Sequence, residues 1–201
     1  MSADFPITYA VILAAGTSSR FGSTKQLAEL NGVSMIRRAA EVSSEACGDR
    51  VIVIAGADWR NVTRSAAPAC KYFAMNELFA DGVGTSISLG ARLCAQRADA
   101  MLVILADQPL LTSTHLNKLI STWSRTSNEI VASAYAGVIG PPVLFPRLAF
   151  PLLCELTGDT GARELLHDSS FRTVTVPFED GAVDIDTVAD FHSICRPADL
   201  S

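Results

Sequence analysis

A loop near the N-terminus carries the residues best suited to hold a phosphate group. An apolar run at residues 10–14 is followed by Gly16, Arg20, Gly22 and Lys25, which small and hydroxyl residues separate. Glycines let backbone N–H groups approach an anion, and the guanidinium and ammonium groups supply positive charge. The pattern predicts a phosphate-binding loop after a buried strand. An ordinary strand-to-helix connection with incidental charges is the alternative.

Spacing excludes the two most familiar phosphate loops. A Walker loop has four residues between its glycines and a lysine directly after the second glycine. Here five residues separate Gly16 from Gly22, and two more precede Lys25. The dinucleotide fingerprint G-x-G-x-x-G also fails, because Ser18 stands where its second glycine should be.

Carboxylates that suit a metal ion come later in the chain. Asp107 follows the apolar run at residues 100–106 and directly precedes Gln-Pro. A carboxylate held rigidly at the end of a buried strand is a hard-oxygen ligand suited to Mg²⁺, although an aspartate here can also simply end the strand in a turn. The later segment VDIDTVAD offers Asp184, Asp186 and Asp190.

Alternation along an extended segment places Asp184 and Asp186 on the same face. We expect Asp186 to be the second metal ligand, with Asp184 as the next candidate and Asp190 as part of a helix cap. A role for Asp186 as only the N-cap of the last helix is the alternative.

Bulk composition limits the class of protein. The 201 residues fit one α/β domain, residues 1–201, with 49 % hydrophobic and 18 % charged residues. A net charge of -5 argues against broad binding to nucleic acid or anionic membranes. The five cysteines lack a C-x-x-C pair and the three histidines are scattered, so we expect reduced thiols and no zinc site. Without a long apolar run or a signal peptide, the sequence predicts a cytoplasmic protein.

Strand and helix patterns alternate along the chain. Strands are predicted at residues 10–14, 50–55, 71–75, 100–106, 129–135, 143–145 and 172–177, and helices at residues 35–47, 59–67, 85–98, 112–124, 161–167 and 187–194. The alternation predicts a three-layer α/β/α fold with a mostly parallel sheet. Because ligands bind at the carboxyl ends of such strands, Gly16, Gly56, Asn76 and Asp107 should share one rim.

The N-terminal stretch resembles a known family. Residues 13–25 are similar to the L-A-[AG]-G-x-S-x-R-[FM]-G-x-x-K opening of nucleotidyltransferases with the nucleotide-diphospho-sugar transferase (Rossmann-like) fold. LAAG followed by KQL is most similar to the MobA-like molybdenum cofactor cytidylyltransferases, whereas relatives that use GTP more often have LAGG. The resemblance extends to about residue 191 through D-Q-P at Asp107, D-I-D-T-x-x-D at Asp184, the G-x-[GS]-x-S loop in residues 81–88, and GDTGAR from Gly158.

The resemblance implies a Mg²⁺-dependent transfer of CMP from CTP to the phosphate of the molybdopterin cofactor, with a molybdenum hydroxylase as a partner. It implies catalytic roles for Lys25, Arg20 and Asp107, which would offset phosphate charge and hold the metal. The implied nucleotide-binding residues are Leu13, Ala14, Ala15, Gly16, Arg20, Lys25, Gly82, Gly84, Ser86 and Asp107. The implied metal ligands are Asp107, Asp186 and Asp184, and the implied acceptor-binding residues are Pro142, Gly158, Asp159, Gly161 and Arg163.

One departure from the family pattern leaves the acceptor open. In GPPVLFP, Pro141 stands where relatives usually carry histidine or another polar residue, and proline donates no hydrogen bond. A phosphorylated sugar, polyol or phosphonate is therefore an alternative acceptor. A non-catalytic carrier that delivers cofactor to a molybdenum hydroxylase is a further alternative, which the full set of cations and carboxylates disfavours.

Overall fold

The computed structural model describes residues 6–16, 24–126 and 128–182. Several predictions lie outside these residues. They are the roles of Arg20, Asp184, Asp186 and Asp190 and the helix at residues 187–194.

Within the described residues a seven-stranded sheet forms the centre of the fold. The strands of the chain are β1 (Thr8–Ala14), β2 (Glu29–Leu30), β3 (Val33–Ser34), β4 (Val51–Ala55), β5 (Tyr72–Met75), β6 (Ala100–Leu105), β7 (Glu129–Tyr135), β8 (Val138–Pro146) and β9 (Arg172–Pro177). The sheet order is β5-β4-β1-β6-β8-β7-β9, while β2 and β3 form a separate small hairpin. Only β8 runs antiparallel to its neighbours in this sheet, so the predicted, mostly parallel arrangement is confirmed.

Helices cover both faces of the sheet. They are α1 (Met35–Cys47), α2 (Trp59–Ala66), α3 (Val83–Cys94), α4 (Ser113–Thr122) and α5 (Phe150–Cys154). Side chains of β1 alternate between two cores: Ile12 packs with residues of α1, α2 and α4, whereas Val11 packs with residues of α3 and α5. This alternation is the period of an extended strand buried on both faces, and it confirms the three-layer prediction.

Local sequence determined several boundaries well. The helix α1 and the strands β7 and β9 have the predicted ends. Thr112 caps α4 as expected, because its side chain accepts a hydrogen bond of 3.2 Å from the backbone N–H of His115.

Two local predictions were wrong, and one helix was missed. The strand predicted at residues 143–145 begins at Val138, because a turn with positive φ at Ala136 and Gly137 pairs β8 with β7 in a hairpin. The short helix predicted at residues 161–167 is a single 3-10 turn, Glu164–Leu166. The helix α5 was not predicted, and its Pro151 is accommodated in the first turn, where no N–H donor is required.

The described cysteines are free thiols in apolar surroundings. Cys47, Cys70 and Cys94 are buried, and Cys154 is half-buried. Burial raises the pKa of the Cys47 thiol to about 11 and that of Cys94 to about 12, so neither forms the reactive thiolate near neutral pH. None of the helices in residues 6–16, 24–126 and 128–182 combines the length and apolar character needed to cross a bilayer.

A buried histidine connects α4 to the hairpin of β7 and β8. His115 is 8 % exposed, and its ring stacks on Phe178 with the centroids 4.1 Å apart. Ser133 Oγ donates to the carbonyl of Pro142 at 2.8 Å, so its oxygen accepts a hydrogen bond of 2.8 Å from the Nε2–H of His115. Burial lowers the pKa of His115 to about 4, which keeps the imidazole neutral.

This histidine should make stability depend on pH. Below a pH of about 6.5 the unfolded chain protonates the imidazole, whereas the folded chain resists protonation down to about 4. Stability from this group is therefore complete above pH 6.5 and falls by up to about 3 kcal/mol as pH drops toward 4. The free energy of unfolding in urea should fall less between pH 7 and pH 4.5 for His115→Gln than for the wild type. His167→Gln, which changes an exposed histidine, is the control and should lose as much as the wild type.

Candidate active site

The carboxyl ends of three neighbouring strands form the predicted rim. Leu13 of β1 lies opposite Ile54 of β4 and Leu105 of β6. Backbone hydrogen bonds extend this alignment past the strand ends, from the N–H of Asn76 to the carbonyl of Ala55 at 2.8 Å and from the N–H of Ala106 to the carbonyl of Leu13 at 3.2 Å. Loops that are far apart in sequence therefore begin side by side.

An ion pair joins two of the predicted site residues at this rim. Lys25 Nζ lies 3.0 Å from Asp107 Oδ2, and Lys25 is only 7 % exposed. The lysine begins a 3-10 turn, and the preceding Thr24 is held by its hydroxyl, which donates to Asp58 Oδ2 at 2.9 Å. Charges in a weakly polar environment interact more strongly than charges in water. Lys25 is therefore suited to bind an anion, and Asp107 is suited to bind a cation beside it.

The second carboxylate oxygen of Asp107 has no hydrogen-bond partner among the described residues. Asp107 Oδ1 is buried, and buried polar atoms without partners are uncommon in folded proteins. An oxygen of this kind fits a ligand for a hard divalent cation. Among the described residues no group of three His, Cys, Asp or Glu side chains could complete such a site, and the other predicted ligands lie outside those residues.

A cavity of about 340 Å³, here called the first cavity, lies beside this ion pair. Its lining residues are Leu13, Ala15, Gly16, Gln26, Phe79, Ala80, Gly82, Val83, Ser86, Leu105, Ala106, Asp107 and Asp159. Six predicted nucleotide-binding residues are in this lining. Ala14, Gly84 and Lys25 are not, although Lys25 reaches the cavity through its bond to Asp107. Asp159, predicted on the acceptor side, lines the first cavity instead.

Glycines allow two loops to interlock at the edge of the first cavity. The N–H of Gly84 donates to the carbonyl of Gly158 at 2.9 Å. A Cβ at Gly82 would lie 2.3 Å from the carbonyl carbon of Gly158, and one at Gly84 would lie 2.6 Å from the carbonyl oxygen of Thr160. Gly82 and Gly158, predicted to contact different substrates, therefore pack against each other.

Gly84→Ala should disrupt this contact. The added methyl group meets backbone oxygens that cannot move aside cheaply, so we expect a loss of about 1–3 kcal/mol in the free energy of unfolding and weaker nucleotide binding. Gly161→Ala is a matched control, because the nearest atom to its Cβ is Val83 Cγ1 at 3.9 Å. Urea unfolding of both variants measures the difference, and an equal loss in both would show that the interlocked loops do not matter for stability.

A second cavity of about 310 Å³ lies next to the first. The two share Leu13, Val83 and Leu105. The other lining residues are Ile87, Val103, Tyr135, Val138, Ile139, Gly140, Pro141, Val143, Phe145, Gly161, Ala162, Arg163 and Leu166. Its wall is almost entirely apolar, with Arg163 as the cationic residue in the lining. Of the predicted acceptor-binding residues, Gly161 and Arg163 are in this lining and Pro142 is not, whereas Pro141 is in it.

Comparison with known proteins identifies the family of this chain. The MobA-like NTP transferase domain matches residues 10–174. The chain belongs to this family. The chain is 30% identical over 202 residues to the purine catabolism protein PucB of Bacillus subtilis (strain 168), which covers 95% of this chain and 97% of that protein.

Solved structures show the same fold. Rv0371c from Mycobacterium tuberculosis H37Rv is 25% identical, with a TM-score of 0.79 over 96% of this chain and 100% of that one. Molybdopterin-guanine dinucleotide biosynthesis protein A from Archaeoglobus fulgidus is 16% identical, with a TM-score of 0.71 over 92% of this chain and 96% of that one. This MobA-like chain is therefore an enzyme of the nucleotidyltransferase type, with the nucleotide-diphospho-sugar transferase fold.

The structure adds residues to the site of this MobA-like transferase that the sequence analysis did not assign. Gln26 and Phe79 line the first cavity, and Gln108 is buried behind Asp107. Gln26 and Gln108 stand inside motifs already recognised, KQL and D-Q-P, so their polar type was a usable indication. Phe79 had no such indication, because its place in the cavity depends on packing against the loop after β4.

Proposed function

We propose that this enzyme transfers CMP from CTP to the phosphate of molybdopterin and releases pyrophosphate. The observation that carries the proposal is the ion pair between the buried Lys25 and the half-buried Asp107, which lies beside one cavity of nucleotide size and next to a second, apolar cavity. Ala15, in the LAAG form of the motif, lines the first cavity and supports cytosine over guanine nucleotides.

The reaction needs no covalent enzyme intermediate. A phosphate oxygen of the acceptor attacks the α-phosphorus of CTP, the bond from that phosphorus to the bridging oxygen of the β-phosphate breaks, and pyrophosphate leaves with the electron pair. The chain contributes positioning and charge stabilisation, as in other phosphoryl-group transfers. Lys25 offsets the negative charge that grows on the departing pyrophosphate, and the backbone at Ala15 and Gly16 lines the nucleotide. Arg20 remains a predicted second cation.

A divalent cation, which we take to be Mg²⁺, would be held by Asp107. The unpartnered Oδ1 atom of Asp107 fits this role, and Asp186 and Asp184 remain predicted ligands. When bound, the ion neutralises phosphate charge and fixes the geometry of the displacement. The M. tuberculosis protein Rv0371c has been solved in complex with manganese, which is a related divalent ion.

The character of the second cavity supports a heterocyclic acceptor over a polyol. Hydroxyl groups of a sugar or polyol would be buried against aliphatic and aromatic side chains such as Val143, Phe145 and Leu166, and each would lose hydrogen bonds to water. A flat ring such as a pterin presents apolar faces to these walls and keeps its polar atoms at its edge. Arg163 would meet the acceptor phosphate, and a molybdenum hydroxylase is the proposed recipient of the product.

Pyrophosphate release tests the proposal directly. The purified enzyme with Mg²⁺ is given CTP, GTP, UTP or ATP, each with molybdopterin, glucose 1-phosphate or erythritol 4-phosphate. We expect release with CTP and molybdopterin together, and at least about tenfold less with the other nucleotides. Faster release with a sugar or polyol phosphate would overturn the acceptor assignment, and faster release with GTP would overturn the base assignment.

A further inference from the structure

Gln108 connects a residue that lines the first cavity to a residue that lines the second. It follows Asp107 directly and is only 7 % exposed. Its Nε2 atom donates a hydrogen bond of 3.0 Å to the carbonyl of Pro141, and Pro141 lines the second cavity. A continuous chain of contacts therefore runs from Lys25 through Asp107 and Gln108 to the wall of the second cavity.

Stability alone does not explain an amide at this position. The Oε1 atom of Gln108 is buried and has no hydrogen-bond partner in the part of the chain that the structure describes. An apolar side chain of similar length, such as methionine, would fill the same volume without burying an unpaired oxygen. The feature that methionine cannot supply is the directed bond to Pro141, which fixes one cavity relative to the other.

We propose that Gln108 is a positioning residue that sets the second cavity at a fixed distance from Asp107. The proposal rests on the proposed function, because it takes the second cavity to hold the acceptor. Proline at residue 141 has no N–H and no polar side chain, so its carbonyl is the group through which Gln108 can hold this wall. The amide thereby holds the wall against which the acceptor binds, so its loss should weaken acceptor binding.

A matched pair of variants tests this role. Gln26 is also 7 % exposed, and its Nε2 atom donates to a backbone carbonyl, that of Gly16, at 3.3 Å in the first cavity. Gln108→Met should raise the KM for molybdopterin roughly tenfold and leave the KM for CTP within about twofold. Gln26→Met should instead raise the KM for CTP roughly tenfold and leave the KM for molybdopterin within about twofold.

The outcomes separate a positioning role from simple packing. If Gln108 only fills space, Gln108→Met will keep a normal KM for molybdopterin, and the proposal is overturned. A fall in kcat with both KM values unchanged would also overturn it, because the residue would then act through Asp107 alone.

Failure of the proposed function is distinguishable from failure of this role. If the wild type releases no pyrophosphate with molybdopterin, the acceptor assignment fails. Hydrogen exchange then still tests the contact: backbone amides of residues 138–146 should exchange faster in Gln108→Met than in Gln26→Met. Equal exchange rates in the two variants would overturn the positioning role whatever the substrate is.

Discussion

Lys25→Ala should lower turnover on the order of 10²–10³-fold, because it removes the described cation nearest to the departing pyrophosphate. The side chain is buried, and its ammonium group lies 3.0 Å from Asp107 Oδ2. In that setting a positive charge is screened far less than it would be on the surface. Pyrophosphate release under saturating CTP and acceptor measures the loss, and unfolding in urea establishes that the variant is folded.

Lys71→Ala is the matched control for this experiment. Lys71 Nζ lies 2.8 Å from Asp49 Oδ2, so the two lysines make ion pairs of similar length, but both side chains of this pair are exposed. Exposed pairs contribute little to stability, and this one is remote from the two cavities. Its turnover should match the wild type. Near-normal turnover of Lys25→Ala would contradict the site assignment.

Asp107→Asn should cause a loss of similar size, on the order of 10²–10³-fold. The substitution keeps the shape of the side chain and removes its negative charge. One of its atoms becomes an amide donor, which cannot accept a hydrogen bond from Lys25 or bind a cation. We expect the remaining activity to need a higher Mg²⁺ concentration, because the charge of Asp107 contributes to holding the ion.

The dependence of activity on Mg²⁺ and Mn²⁺ concentration measures the expected weakening of metal binding. Asp49→Asn, which changes the exposed partner of Lys71, should leave the metal dependence unchanged. If Asp107→Asn lost activity but kept the wild-type metal dependence, Asp107 would orient Lys25 and would not bind the metal. Turnover close to that of the wild type would reject the site altogether.

The loop that holds Gly16 and Lys25 could be predicted from the sequence, because its residues are close together in the chain. The apolar run of β1, the glycine after it and the lysine beyond were recognisable by type and spacing. Asp107 was recognisable in the same way, at the end of the most hydrophobic strand and before a proline. Strand ends that face one edge of a parallel sheet bring such loops together, so the meeting of Lys25 and Asp107 followed from the fold class.

The positions of Asp159 and Gly158 depended on packing between loops that are distant in the chain. Asp159 lines the first cavity and Gly158 supports Gly82, because the loop at residues 157–160 packs directly on the loop before α3. The motif at Gly158 was visible in the sequence, but the residues that it contacts in the folded chain were not. Gly82 and Gly84 accept this contact only because they lack a Cβ, and neither spacing nor composition identifies the partner of such a glycine.

The sequence by itself determined the alternation of strands and helices and the position of Asp107 at the end of a strand, since each depends on local residue type and period. The tertiary structure decided the apolar second cavity and the bond from Gln108 to Pro141. Both depend on β8, which enters the sheet antiparallel between β6 and β7. The order and direction of strands are set by contacts across the whole sheet, and no short stretch of the chain contains them.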